Sequence, residues 1–324
     1  MRLYAKLKRV TIVLFYLPFF NSLDFHLFAQ KQEPATELQI ASQAIATIKL
    51  DGYPDFLAAD GDDVWVTNDG RVEKLSVKSH TPILSVAIPE PCGAPVMGDG
   101  SLWVASCKNN SIYRIDPTTG SIIVVIPIHI ADPRGEISMA FGAGSLWLLS
   151  DSSGLLSRID AKTNTIKAHI KVKSQSYCAT FGYEAVWITN THEAGSVQRI
   201  DPETNMLVTT IRVGSLPRFV AAGEGGIWTL NQKLGTISRI DPATNQLIAT
   251  IKGMVPGTGG DIAAGANRVW VRSKDGTFLL TIDPITNRIL NRYLPLCGSG
   301  AVRVSNNYVW VSAHDINTIW VLKK

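Results

Sequence analysis

The sequence predicts an all-β chain: a seven-bladed β-propeller of four-stranded blades, with an N-terminal strand closing the last blade. Two markers running in step carry this prediction. An apolar-flanked tryptophan recurs at Trp65, Trp103, Trp147, Trp187, Trp228, Trp270 and Trp310, at intervals of 38, 44, 40, 41, 42 and 40 residues. A second motif has its Asp 13 or 14 residues after the tryptophan: "RIDPTTG" from 114, "RIDAKTN" from 158, "RIDPETN" from 199, "RIDPATN" from 239 and "TIDPITN" from 281. Units of about 40 residues made of short Ile-, Val- and Trp-rich segments, bounded by Gly, Asn, Asp and Pro and lacking a helical period, have the pattern of propeller blades.

Taken in chain order, residues 1–29 form a leader. Arg2, Lys6, Lys8 and Arg9 precede the apolar run "VTIVLFYLPFF", and Ala29 offers a cleavage position. This is a signal peptide or, uncleaved, an N-terminal anchor, and in either case the propeller is exported, to the periplasm or the extracellular space. Residues 30–43, "QKQEPATELQIASQ", read as a polar linker. The propeller spans 44–324. Its final repeat ends after a third strand, whereas "AIATIKL" (44–50) is an orphan fourth strand placed ahead of the first tryptophan. Pairing the two removes an open sheet edge.

Within a blade, "FVAAGE", "GGIWTLN", "TISRID" and "QLIATIKG" illustrate the four strands. Each tryptophan is a wedge between sheets, since a buried aromatic removes roughly 150–250 Å² from water. The Asp-Pro-x-Thr-Asn stretch is a bend. Asp accepts local backbone hydrogen bonds, Pro presets φ, and the terminal Asn or Gly tolerates the left-handed conformation. A calcium loop would need oxygens converging on one point, and these carboxylates are spread one per blade.

Four cysteines in an exported chain allow three pairings. Cys92 and Cys107 flank the Asp99-Gly100 bend symmetrically, so a two-residue hairpin turn there would set them face to face as a disulfide. Cys178 and Cys297 fall in different blades and read as buried thiols, their pairing left open.

Function has to come from the loops, because the scaffold is generic. Loops entering each first strand and leaving each tryptophan strand share one face, and they vary from blade to blade. The ligand-binding candidates are Asp55, Glu136, Tyr177, Asn190, Arg218, Asn231, Asp261 and Arg272, and the weak catalytic candidates are His192 and His314. There is no Gly-x-Ser-x-Gly elbow, His-Glu-x-x-His or phosphate loop; "GTGGD" (257–261) lies between strands with no helix behind it. The formal charge of +4 comes mostly from the leader: without residues 1–29 there remain 27 Lys plus Arg against 26 Asp plus Glu. No basic stripe points to nucleic acid.

"VWVTN", the "RIDPxTNxxxATIxVG" pattern and the spacing resemble YVTN-type (YncE-like) propellers and the related streptogramin B lyase (virginiamycin B lyase) group, over about residues 44–324. The resemblance implies the propeller fold. For the lyases it also implies a metal-binding glutamate and a nearby histidine just after a blade's tryptophan, for magnesium-assisted elimination. At three residues past the tryptophans this chain has Asn68, Ser106, Ser150, Asn190, Asn231, Ser273 and Ala313, with no glutamate; His192 follows Trp187 by five. Gluconolactonase-like propellers hold a channel metal through acidic and amide groups, an arrangement that Glu136 with Asn190 or Asn231 would imitate. The favoured expectation is therefore a monomeric, non-catalytic propeller without cofactor that binds a small molecule, glycan or protein on the loop face. It would meet a membrane only through an uncleaved leader. The alternative is a lyase-like or lactonase-like enzyme using Mg or Ca at the channel mouth.

Overall fold

The computed structural model describes residues 34–128, 137–151, 153–254, 256–275, 278–295 and 297–324. The leader and Glu136 lie outside the described residues. Seven antiparallel sheets follow one another along the chain, with inner strands Leu57–Asp60, Val96–Gly98, Ser138–Gly142, Ser176–Gly182, Pro217–Gly223, Gly260–Gly265 and Val302–Val304. The inner strands of adjacent blades pack side by side around the ring, and that of blade seven meets that of blade one. The propeller is closed.

Closure uses the N-terminal strand as the sequence predicts: Ala44–Lys49 pairs antiparallel with Thr318–Lys323, as the outer strand of blade seven. The segment just before it, read as a linker, is structured. Thr36–Gln39 adds to blade six as a fifth strand, parallel to Arg288–Leu294. Ile40, 1% exposed, then packs with Trp270, Phe278, Leu279 and Tyr293. A polar composition conceals this because an edge strand draws its energy from main-chain pairing and here needs only one buried anchor.

All seven tryptophans are buried. In blades two to six the indole N–H donates to the carbonyl of the glycine five residues earlier: Gly98, Gly142, Gly182, Gly223 and Gly265, at 3.0–3.1 Å. Those glycines are dictated by packing as well. A Cβ on Gly98 would lie 2.0 Å from the Phe141 ring, and one on Gly142 2.1 Å from Phe181.

The Asp-Pro-x-Thr-Asn bends are turns. In blade two, Asp116 Oδ1 accepts the Thr118 and Thr119 N–H groups at 2.8 and 3.0 Å. Asn164, Asn205, Asn245 and Asn287 take φ of 57–59°. These amides hold the Asp116, Asp160, Asp201 and Asp241 carboxyls below the usual carboxylate range.

The arginine of the motif has a role that turn chemistry does not reveal. It pairs across strands with its own tryptophan, and its guanidinium stacks on the indole: Arg114 on Trp103, Arg158 on Trp147, Arg199 on Trp187 and Arg239 on Trp228, at 4.6–5.1 Å. From there Nη1 reaches the next blade's turn, donating to the Asn164, Asn205, Asn245 and Asn287 side-chain oxygens at 2.8–3.1 Å. It also donates to a carbonyl of that turn, from Ala161, Pro202, Pro242 or Pro284. Lys74 does the same from blade one, on Trp65 and Pro117. Blades one to five thus each clasp their successor.

Cys92 and Cys107 are joined, with Cα atoms 5.8 Å apart. Asp99 and Gly100 have φ of 50° and 65° and form the two-residue hairpin turn. Cys178 and Cys297 are half-buried free thiols, and burial pushes both upward in pKa.

Candidate functional site

Strand direction gives the propeller two faces. The tight inner hairpins and the Asp-Pro turns occupy one; the loops entering each inner strand and leaving each tryptophan strand occupy the other. Of the described sequence candidates, three point into the sheets. Asn231 is fully buried, donating to Thr236 and Ser238 at 3.1 and 2.8 Å and accepting from Thr229 at 2.9 Å. Asn190 donates to the Ser174 carbonyl at 2.5 Å and accepts the His192 N–H at 3.3 Å. Arg272 is enclosed between blades six and seven. It donates to the carbonyls of Ser273, Phe278, Gly298 and Ser312 at 2.8–3.2 Å, with its guanidinium 3.9 Å from the Phe278 ring. Burial lowers its pKa to about 9, which leaves it charged at neutral pH. These side chains tie loops and strands together rather than converging on a ligand, because a polar group buried at a strand end has to find partners there.

His314 sits where blade seven meets blade one. Its ring stacks on Tyr53 at 4.2 Å, with Nδ1 2.9 Å from Asp315 Oδ1 and Nε2 3.9 Å from Asp55 Oδ1. Burial lowers its pKa, and the Asp315 carboxylate pulls the other way. Chemically this is a histidine between two carboxylates, competent to accept a proton. His192 stands apart from it, exposed in a groove of about 660 Å³ between blades three and four with Lys171, Lys173 and Arg212. A smaller groove of about 300 Å³ on the same face, beside the disulfide, is acidic through Asp55, Asp69 and Glu90. No group of three or more His, Cys, Asp or Glu among the described residues is placed to hold a metal ion.

Toward the axis the loop face narrows to a cavity of about 30 Å³, with Phe56, Tyr177, Phe219, Asp261 and Arg303 among its lining residues. Tyr177 and Phe219 meet edge to face at 5.9 Å, and Arg218 stacks on Tyr177 at 5.0 Å. Past this constriction, toward the inner hairpins, lies a chamber of about 260 Å³ lined by inner-strand residues. Asp261, 5% exposed, borders both and ion-pairs with Arg303; it also accepts the Ile262 and Val302 N–H groups at 2.9 and 3.1 Å.

Arg303 is the residue that reading the loops missed. Opposite the seven tryptophans the inner strands carry Ala58, Val96, Ala140, Thr180, Ala221, Ala263 and Arg303. One long cation among small residues in "AVRVS" is visible once the repeats are aligned by register instead of by loop.

Several solved structures share this architecture. Virginiamycin B lyase from Staphylococcus aureus superposes with a TM-score of 0.72 at 18% identity, covering 86% of this chain and 98% of that one. A catalytically inactive histidine variant of that lyase, solved with quinupristin, gives 0.71 at 17% identity, covering 86% and 98%. BamB from Moraxella catarrhalis gives 0.62 at 12% identity, covering 87% and 99%. No protein-family model and no curated protein matches the sequence. At these identities the likeness establishes the seven-bladed fold and nothing about chemistry.

Proposed function

We propose that this chain is an exported propeller that binds an extended partner, a protein or glycan, across its loop face and performs no chemistry there. The observation that carries this reading is the pairing of two grooves of opposite charge on one face. Lys171, Lys173, Arg212 and His192 lie in the larger, and Asp55, Asp69 and Glu90 in the smaller. Complementary charge steers and orients a partner long enough to touch both. The inward-turned Asn190, Asn231 and Arg272 also support it, since they leave few fixed polar groups for a small ligand at the mouth. Export rests on the leader and fits the Cys92–Cys107 disulfide.

The test is site-specific photocrosslinking in the producing cells, with the probe at Lys173 or Glu90 on the loop face, or at Lys78 on the turn face. One defined adduct from both loop-face positions and none from Lys78 is expected; equal labelling from all three would defeat the reading. A second reading, lyase-like or lactonase-like catalysis, is favoured by His314 held between Asp315 and Asp55 as a proton acceptor. A rise in melting temperature with magnesium or calcium that EDTA reverses would supply the divalent metal that this reading calls for, and no such rise would count against it.

A further inference from the structure

We propose that the axial chamber is a binding site for a small monocarboxylate with an apolar body, held by the guanidinium of Arg303. This goes beyond the loop-face reading and does not depend on it. Arg303 Nη1 is committed to Asp261 and to the Val302 carbonyl. Its Nε and Nη2 have no hydrogen-bond partner among the described residues, although the side chain is only 26% exposed and lines the chamber. Two parallel N–H donors on one planar edge match a carboxylate in a bidentate pair, the geometry for which arginine is better suited than lysine. Asp261 aims that edge by holding Arg303 Nη1, and its own oxygens are occupied by two main-chain N–H groups, so it draws no further donor away from the ligand. Met139, Phe141, Phe181 and Val220 supply the apolar lining. The aromatic constriction stands between the chamber and the loop face, so the ligand enters among the inner hairpins of the turn face. In blades where the same position holds Ala, Val or Thr, no such donor exists.

The test is calorimetric titration of the intact protein with benzoate at low ionic strength, with benzamide as the neutral isostere. Benzoate is expected to bind, and benzamide at least about tenfold more weakly. The double variant Asp261→Asn with Arg303→Gln removes both charges together, leaves no unpaired buried ion, and is expected to lower benzoate affinity at least about tenfold. Thr180→Leu narrows the chamber while keeping the ion pair, and is expected to weaken both probes. No benzoate binding, equal affinity for benzamide, or undiminished binding by a folded double variant or by Thr180→Leu would overturn the proposal. None of these results bears on crosslinking at Lys173 or Glu90, so the two readings fail separately.

Discussion

Blades one to six and the seam running from blade six through seven to one join neighbouring sheets in different ways. In the arc, each junction repeats one device: a cation stacks on its own tryptophan and reaches the next blade's turn. At the seam the device stops. Thr281 faces Trp270 and Val321 faces Trp310, where the arc has Arg or Lys. The reason is topological: blade seven takes its outer strand from the N-terminus, so it has no Asp-Pro turn to be clasped. What holds the seam instead is unrepeated. Arg272 and the Asp261–Arg303 pair join six to seven. Trp310 donates to the Asp62 carbonyl at 3.1 Å, Asn307 binds the Asp62 carboxylate at 3.0 Å, and the latch strand completes seven. A repeat can stabilise every junction except the two that flank blade seven, where the chain's ends meet, and there singular residues take over.

The largest expected effect breaks the seam outright. Deleting residues 44–50 removes the antiparallel partner of Thr318–Lys323 and uncovers an edge strand, so the purified protein should aggregate or lose its cooperative melting transition. An unchanged melting temperature would refute the latch.

Next is Arg272→Met, which keeps bulk but takes a donor from the buried Ser273 and Ser312 carbonyls and the half-buried Gly298 carbonyl, while Phe278 keeps the Ser273 N–H. It should cost about 3 kcal/mol or more, since each unsatisfied buried group is worth about 1–3 kcal/mol. Chemical denaturation would measure it. A loss below about 1 kcal/mol would mean that the seam does not rest on this residue.

A single clasp in the arc should matter less. Arg199→Ala removes one exchangeable stack and its hydrogen bonds, at a cost of about 1–2 kcal/mol. If Arg199→Ala proves as damaging as Arg272→Met, the proposed contrast between distributed and singular junctions is wrong.

The smallest effect separates the two regions by pH. Burial depresses the folded-state pKa of His314, so below the unfolded value of about 6.5 the unfolded chain binds more protons. Stability should therefore fall as pH drops through that value, and His314→Gln should flatten the slope. The turn aspartates of the arc are also depressed, but from about 3.9, so their contribution persists above that value and is lost only at lower pH as they protonate. Melting curves between pH 7 and 3 would show two separate declines; a single one would merge the regions.

Much of the scaffold was legible because its causes are local or periodic. The Asp-Pro bends are turn chemistry, the tryptophan period marks the blades, and Cys92 and Cys107 could be matched about the Asp99-Gly100 bend from spacing alone. The candidate site was less legible. Asn190, Asn231 and Arg272 are polar residues in variable loops, which is what a binding residue looks like in sequence. It is also what a buried loop tie looks like, and only neighbouring carbonyls and hydroxyls distinguish the two. Tyr177 and Asp261 do reach the axis, whereas His314 gained its carboxylate neighbours from two chain ends.

By itself, then, the sequence determined the number of blades, their strand order, the turn conformations, one disulfide and the need for a closing strand. Each follows from a pattern spanning a few residues or from the count of repeats. The tertiary structure alone decided that Thr36–Gln39 would flank blade six, that the motif arginines would clasp the following blade, and that Arg303 would sit half-satisfied beside Asp261 in the axial chamber. Those outcomes depend on which distant backbones come within hydrogen-bonding reach once the ring closes, and no local pattern in the chain encodes that distance.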